Sequence, residues 1–518
     1  MAAQTADADR IDPKRLAAFI AMVFGMFMAI LDIQIVSASL AEIQAGLSAS
    51  AEEVSWVQTS YLIAEVIMIP LSGFLSRAFS TRIVFTISAG GFTLMSFMCA
   101  QATSIEEMIV WRALQGFIGG GMIPTVFAAA YTIFPRSKQS LIAPVVGLVA
   151  TLAPTIGPTV GGYLTELFSW HWLFLVNIVP GIVVTLSVWA LVDFDRSDLS
   201  LLEGFDWLGL GAMAVFLGSL EYVLEEGPAK DWFGSELIVT AAIAAALGSA
   251  VFFWRNLTVK RPIVDLTAFA NRTFTAASIC SFVMGIGLYG LTYLYPVYLA
   301  RVRGFSPLQI GEAMFVTGLC MFLTAPVIGR LTAKTDPRVL IAAGFLMFSA
   351  GTWQAAAITI DWDFWELLIP QMLRGIGIMT CMVPINNLAL GTLPLDRLKG
   401  ASGLYNLTRN LGGAVGLALI NTLLNDRTDL HLQRLHEQVT WSSQSALETL
   451  TLMTGALSRL GSDAELGAIR KIAGLVRQQA FVMALGDVFV ALTFLFMLLV
   501  ALTPLMQRPK RAAGGGGH

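Results

Sequence analysis

The chain has 518 residues, 56% of them hydrophobic and 13% charged, with a mean hydropathy of +0.72 and a formal net charge of −3. A soluble protein is about 45–50% apolar and about 25% charged, so these values exclude an ordinary soluble domain and indicate a polytopic membrane protein. The small net charge argues against a nucleic-acid partner, and Cys99, Cys280, Cys320 and Cys381 all lie in apolar runs without CxxC spacing, which offers neither a disulfide framework nor a metal site.

Residues 1–13 are polar and lack the basic-then-apolar pattern of a secretory signal, so the first hydrophobic run is expected to remain as an anchor. Fourteen segments are long and apolar enough to span a bilayer: 14–40, 53–76, 83–102, 105–134, 140–165, 170–193, 206–224, 236–256, 273–300, 307–331, 338–359, 364–392, 400–425 and 479–505. An even number places both termini on one side. The loops on that side carry about 20 Lys and Arg against about nine on the other, so both termini are expected in the cytoplasm.

In the first segment Asp32 lies past the middle, with Gln34 close by; in the second, Glu65 is near the centre. The fourth places Arg112 in an otherwise apolar run, with Gln115 one turn on, followed by Gly116, Gly119, Gly120 and Gly121. A charge at membrane depth costs roughly 2.5–3.5 kcal/mol on insertion scales, so such residues face a polar interior and mark an ion or substrate route. Desolvation and a nearby arginine act on a carboxyl group in opposite directions, and a group held between them can change protonation when its neighbour moves. Asp32, Glu65 and Arg112 are therefore candidate proton-coupling residues; the plainer alternative is a static salt bridge, and Glu65 is also suited to bind a cationic substrate.

The fifth segment contains GLVATLAPTIGPTVGG, residues 147–162, with Pro154, Gly157, Pro158, Gly161 and Gly162. Proline and glycine at this density indicate a helix that bends and packs closely, suited to occluding a cavity. Segments 206–224 and 236–256 form a two-helix insert between two groups of six. The expected units are 1–195, 196–260 and 261–518. Internal similarity supports two related halves: Pro70, Gly73, Leu75 and Arg82 align at constant offset with Pro326, Gly329, Leu331 and Arg338. Arg112, Gln115, Gly116 and Pro124 are likewise echoed by Gln371, Arg374, Gly375 and Pro384, with Arg and Gln exchanged.

In the second half, Tyr289 and Tyr293 stand one turn apart, and Met372, Met379 and Met382 share a segment with Arg374; these form a candidate substrate surface for varied apolar ligands. Asn406, Arg409 and Asp487 are further embedded polar groups, expected to make structural pairs. The hydrophilic connection 426–478 should lie outside the cytoplasm. Its Leu447, Leu450, Met453, Leu457 and Leu460 recur at helical spacing, so it is expected to form amphipathic helices.

At these residues the chain resembles the fourteen-helix drug:proton antiporters of the major facilitator superfamily, and among them the EmrB-type multidrug exporters. The resemblance covers nearly the whole chain. It rests on LDIQIVSASL in segment one, GFLSRAFSTR after segment two, RALQG in segment four, GPTVGG in segment five and WHWLFLVNIVPG opening segment six. It implies an all-α major facilitator fold of two six-helix bundles plus the insert, with Gly157, Pro158, Gly161 and Gly162 as the antiporter motif and Asp32 and Arg112 in proton coupling. Gly73, Arg77 and Arg82 fall in the superfamily's gating motif. That motif usually carries aspartate where this chain has Arg77 and glycine where it has Ser80, so Arg77 is expected to meet a different acidic partner.

The function these readings imply is export of hydrophobic, often cationic or weakly acidic compounds across the bacterial inner membrane in exchange for protons, without a cofactor or catalysis. The alternative on the same fold is a narrower exporter of a metabolite, fatty acid or siderophore. EmrB-type exporters are expected to work with an EmrA-like periplasmic adaptor and a TolC-like outer-membrane channel.

Overall fold

The computed structural model describes residues 12–505 apart from 260–261, 333, 395–396, 441 and 458–462, and among these residues it contains helices and no strand. Leu460, the polar stretch before Asp12 and the C-terminal basic and glycine-rich tail lie outside the described residues. In the first half the helices are α1 Pro13–Ala38, α2 Leu40–Leu47, α3 Ala51–Phe79, α4 Thr81–Ala100, α5 Ile105–Gly119, α6 Met122–Ile133, α7 Arg136–Leu167, α8 Trp172–Leu175 and α9 Ile178–Leu191. The insert comprises α10 Trp207–Glu226 and α11 Glu236–Thr258. The second half comprises α12 Arg272–Arg301, α13 Pro307–Thr332, α14 Pro337–Ala355, α15 Phe364–Leu390, α16 Leu398–Gln438, α17 Gln444–Ala456 and α18 Ala464–Leu502.

Local chemistry sets where these helices begin. Asp12 caps α1 ahead of Pro13, Ser50 and Glu53 form a reciprocal capping box at α3, Ser104 caps α5, and Asp363 and Glu366 repeat the box at α15. Each cap satisfies backbone N–H groups that hydrocarbon cannot. Among the described residues eleven helical spans are long and apolar enough to cross a membrane, α5 and α6 together forming one of them, and the bent α7 raises the number to twelve. The remaining expected spans, 338–359 and 400–425, coincide with α14 and the first part of α16. α14 packs on α15 and α18, and α16 packs on α12 and α18 and also on α3 and α6 of the first half; glycines and the buried Asn406 and Arg409 lower the hydropathy of α16.

The polarity gradient is that of a protein in lipid. Ile87, Leu186, Leu247, Leu257 and Phe494 are among the large apolar side chains left exposed on the outside, whereas Asp32, Arg112, Gln115, Arg374 and Asn406 are each at most 1% exposed. Backbone groups in hydrocarbon must be satisfied within the helix, and charges must be enclosed by protein.

In α7 the pieces Pro144–Pro154 and Ile156–Leu167 meet at 43°, as expected where Pro154 and Pro158 remove backbone donors. This helix packs on α1 and also reaches across to α13 and α15. A Cβ at Gly157 would lie 2.4 Å from Cβ of Gln34, and one at Gly161 would lie 3.0 Å from the Ile35 carbonyl oxygen, so α7 lies this close to α1 because both positions are glycine. Gly162 is buried beside them.

The connection 426–478 is helical over most of its described residues, as its spacing predicts, but much of it continues the spanning helices. No glycine or proline interrupts Asn425–Gln438, so the polar sequence continues α16 as a single helix of 41 residues, and α18, with 39 residues, begins well before its apolar part. At 1.5 Å per residue each is about 60 Å long, roughly twice the hydrocarbon thickness. The extramembrane structure is therefore the projecting ends of two spanning helices with α17 laid against α18.

Candidate functional site

Asp32 of α1 and Arg112 of α5 are both 0% exposed and form an ion pair, Arg112 Nη1 to Asp32 Oδ2 at 2.7 Å. Arg112 also donates to Gln115 Oε1 at 2.7 Å and, through Nε, to the Val57 carbonyl at 3.1 Å, and its guanidinium lies 4.2 Å from the centre of the Tyr61 ring. Asn177 Nδ2 donates to Asp32 Oδ1 at 2.7 Å, and Gln115 Nε2 donates to Ser96 Oγ at 2.6 Å. Sequence reasoning missed Ser96 and Asn177. Asn177 reaches the pair because the chain breaks its helix between α8 and α9, where Asn177 occupies the N-cap position of α9; it lies within WHWLFLVNIVPG, and an Asn in an apolar run was the available signal.

Glu65 of α3 stands apart from this pair. It is 3% exposed and its Oε1 has no hydrogen-bond partner. It lines a central cavity of about 760 Å³, including its open mouth, whose wall also contains Gln34, Glu221, Glu225, Tyr289 and Arg409. Asp32 and Arg112 do not line that cavity, although both lie close enough to act on Glu65 electrostatically. The three expected coupling residues thus divide into an enclosed pair and a carboxylate facing the cavity. Such an arrangement can store charge in one place and present it in another.

The remaining candidates disperse. Arg409 Nη2 donates to Asn406 Oδ1, Asn406 Nδ2 donates to the Ser402 carbonyl at 2.9 Å, and Tyr289 Oη donates to Asn410 at 3.4 Å. Tyr293 is not in the cavity wall. Met379 and Met382 are fully buried packing, and Met372 is 39% exposed on the outer surface of α15, so the expected methionine surface does not line this cavity. Hydrophobic spacing alone cannot say which side of a helix that is apolar all round faces inward. Gln371 accepts from Thr317 and donates to the Ala313 carbonyl at 3.3 Å, and Arg374 donates to Thr292 and, at 3.4 Å, to the Leu288 carbonyl. Asp487 was expected to be embedded but is 39% exposed; it meets His431 Nε2 at 2.9 Å and Arg427 at 3.7 Å on the part of α16 beyond its apolar stretch.

At the end of the molecule where α3 gives way to α4, a Cβ at Gly73 would lie 2.6 Å from the Lys399 carbonyl oxygen. There Asp195 accepts from Thr81 N and Oγ1 at 2.9 and 2.6 Å and pairs with Lys399, which also donates to the Ser76 carbonyl at 2.9 Å. The acidic group at this end is thus held by a lysine from the other half. Arg77, expected to have an acidic partner, instead donates to the Gly73 carbonyl at 3.4 Å, and Arg82 lies 4.5 Å from the Trp189 ring. Among the described residues no cluster of three or more His, Cys, Asp or Glu is placed to hold a metal ion.

The family model described as Major Facilitator Superfamily matches residues 22–417, more than half of the chain. The chain belongs to the Major Facilitator Superfamily. Its similar relatives within that superfamily include a colistin resistance protein EmrB from Acinetobacter baumannii, 43% identical over 96% of this chain and 97% of that protein. Another is the multidrug export protein EmrB of Escherichia coli K12, 29% identical over 96% of each chain. The crystal structure of the human organic anion transporter MFSD10 shares the fold, with a TM-score of 0.59 at 12% identity, covering 94% of this chain and all of that one. The all-α architecture is the major facilitator fold.

Proposed function

We propose that this chain is a multidrug exporter driven by proton exchange, which moves hydrophobic and mainly cationic compounds by alternating access. The observation that carries the reading is the buried Asp32–Arg112 pair beside a cavity lined by Glu65, whose Oε1 lacks a hydrogen-bond partner. Protonating Asp32 removes Arg112's ionic partner and leaves a buried cation uncompensated, which costs several kcal/mol and can drive repacking. Glu65 is the neighbouring acid that can respond. One proton moving through 100 mV supplies about 2.3 kcal/mol, enough for nearly two decades of substrate gradient.

In this reading the units 1–195 and 261–518 rock about the cavity while the insert 196–260 follows. The Asp195–Lys399 contact then closes the cytoplasmic side, with Gly73 allowing α3 and α16 to meet, and the bent α7 serves as the occluding helix. Both termini face the cytoplasm, and the protein resides in the bacterial inner membrane. The names of its EmrB relatives and their shared length support drug efflux. An EmrA-like adaptor and a TolC-like channel complete the proposed assembly, with the projecting α16–α18 helices on the adaptor side.

Flux into proteoliposomes under an imposed pH gradient tests the reading, comparing Asp32→Asn, Glu65→Gln and Arg112→Ala with the wild type. Gradient-driven transport should fall to the level of protein-free vesicles in Asp32→Asn. If Asp32→Asn and Glu65→Gln both transport as the wild type does, these residues do not couple the proton.

A further inference from the structure

The insert helix α10 does more than separate the two halves. Glu221 and Glu225 lie four residues apart, hence on one helical face, and both line the central cavity with Glu65. Glu221 is 6% exposed and lies within electrostatic reach of both Glu65 and Glu225. Glu226, about 100° further round the helix, faces away and accepts hydrogen bonds from Ser55 and Thr59 of α3 at 3.0 and 3.1 Å. Tyr222 stacks on Trp56 of α3 with 5.3 Å between ring centres. Beyond the helix end, Trp232 Nε1 donates to Thr422 Oγ1 of α16 at 2.9 Å. The insert is thus anchored to α3 of the first half and α16 of the second, and this anchoring fixes where Glu221 and Glu225 face.

Two buried polar atoms in the cavity wall lack partners. Glu65 Oε1 has none, and Arg409 of α16, 3% exposed, has an unpaired Nη1. With its acids ionised the wall carries three carboxylates and one guanidinium, an excess of two negative charges among apolar side chains such as Ile33, Leu62 and Leu288. Burying like charges together is costly unless they take up protons or something positive sits among them, and a cation that binds there favours the ionised form.

We infer that α10 forms part of the substrate site, and that Glu221 and Glu225 together with Glu65 make it a receptor for amphiphilic compounds bearing two or more positive charges. The inference rests on the cavity being the transport site. Glu65 supplies the acid common to any cation, and the insert supplies the acids that distinguish a second charge. The apolar wall takes the hydrophobic part of the ligand, and Arg409 limits how far the negative field extends.

Binding to the purified full-length protein in nanodiscs tests this, using ethidium, with one positive charge, and propidium, which has the same ring system and two. The wild type should bind propidium more tightly than ethidium. Glu221→Gln and Glu225→Gln should each weaken propidium about tenfold, the scale of one partly buried charge contact, and ethidium no more than about threefold. Glu221→Asp, which keeps the carboxylate, should retain the discrimination and carries the test if Glu221→Gln does not fold. Equal affinity of the wild type for both probes, no binding of either, or equal losses for both in the Gln variants would overturn the inference. The readout is independent of coupling. A wild type that discriminates between the probes but shows no gradient-driven flux overturns the antiport reading and leaves this one standing.

Discussion

Arg112 on α5 and Arg374 on α15 occupy echoing stretches of the two halves, and both are almost completely enclosed. Around Arg112 are Asp32, Gln115, a backbone carbonyl and a tyrosine ring at 4.2 Å. Around Arg374 are the Thr292 hydroxyl, the Leu288 carbonyl and the Tyr295 ring at 5.9 Å, and among the described residues no carboxylate pairs with it. The first helix of each half faces its arginine in both cases, but α1 brings an acid and α12 a threonine. The repeat has kept a buried guanidinium and varied the group opposite it. Among the described residues, of these two echoing arginines only Arg112 has a carboxylate partner whose charge a proton can cancel, so the two halves can share an architecture while just one carries the coupling chemistry proposed here.

The largest expected contrast is in stability. Arg112→Ala leaves Asp32 buried without its counter-ion and should cost about 3–5 kcal/mol, whereas Arg374→Ala, which removes hydrogen bonds and no ion pair, should cost about 1–3 kcal/mol. Unfolding of the purified proteins in one detergent measures both. An Arg374→Ala loss equal to or greater than that of Arg112→Ala would erase the distinction.

Transport should sharpen the same comparison. Asp32→Asn should abolish gradient-driven flux in proteoliposomes while exchange of substrate down its own gradient continues; Arg374→Met should keep gradient-driven flux within about twofold of wild type once corrected for folded protein. Loss of coupling in Arg374→Met would assign the second half a role that its surroundings do not suggest.

A smaller effect is expected at the second line of contacts. Asn177→Ala removes a 2.7 Å donor from Asp32 and should lower stability by about 1–3 kcal/mol. Because Arg374 has no comparable acid to orient, Thr292→Val should cost no more than about 1 kcal/mol. Chemical denaturation of the pair separates these outcomes.

Lys230, in the connection between the two insert helices and 27% exposed, provides the low end of the scale. Burial works against its ammonium, but the hydrogen bond to Tyr222 at 3.2 Å and the charge of Glu226 at 3.3 Å outweigh it and hold its pKa above the usual lysine value. A folded-state pKa raised in this way contributes stability that is complete below the ordinary lysine pKa, about 10.4, and is lost as pH rises through the higher folded value. Lys230→Met should therefore cost at most about 1 kcal/mol at neutral pH, and nothing once the pH is above that window, as a pH series of melting temperatures would show.

Much of the site was legible for one physical reason. A charge inside a run of hydrocarbon-like side chains is so costly that Asp32, Glu65, Arg112, Arg374 and Arg409 each announce an enclosed position in the linear chain. Uncharged partners cost less to bury, so Ser96 and Thr292 looked like ordinary residues of apolar helices and Asn177 gave only a weak signal. Glu221 and Glu225 were hidden differently: they fall where the hydropathy of the insert fades, and the end of a span reads as the start of a loop. The methionines of α15 show the converse, since a helix apolar on every side gives no indication of which side meets protein.

Composition and periodicity alone determined that this chain lies in a membrane as helices and that its buried charges need partners, because both follow from the cost of placing polar groups in hydrocarbon. Which charges meet was decided only by the packing. The break before α9 delivers Asn177 to Asp32, the glycines of α7 let it lie against α1, and the anchoring of α10 to both halves turns its acids inward. Those outcomes depend on distances between segments far apart in the chain, which the local energetics of any one segment do not contain.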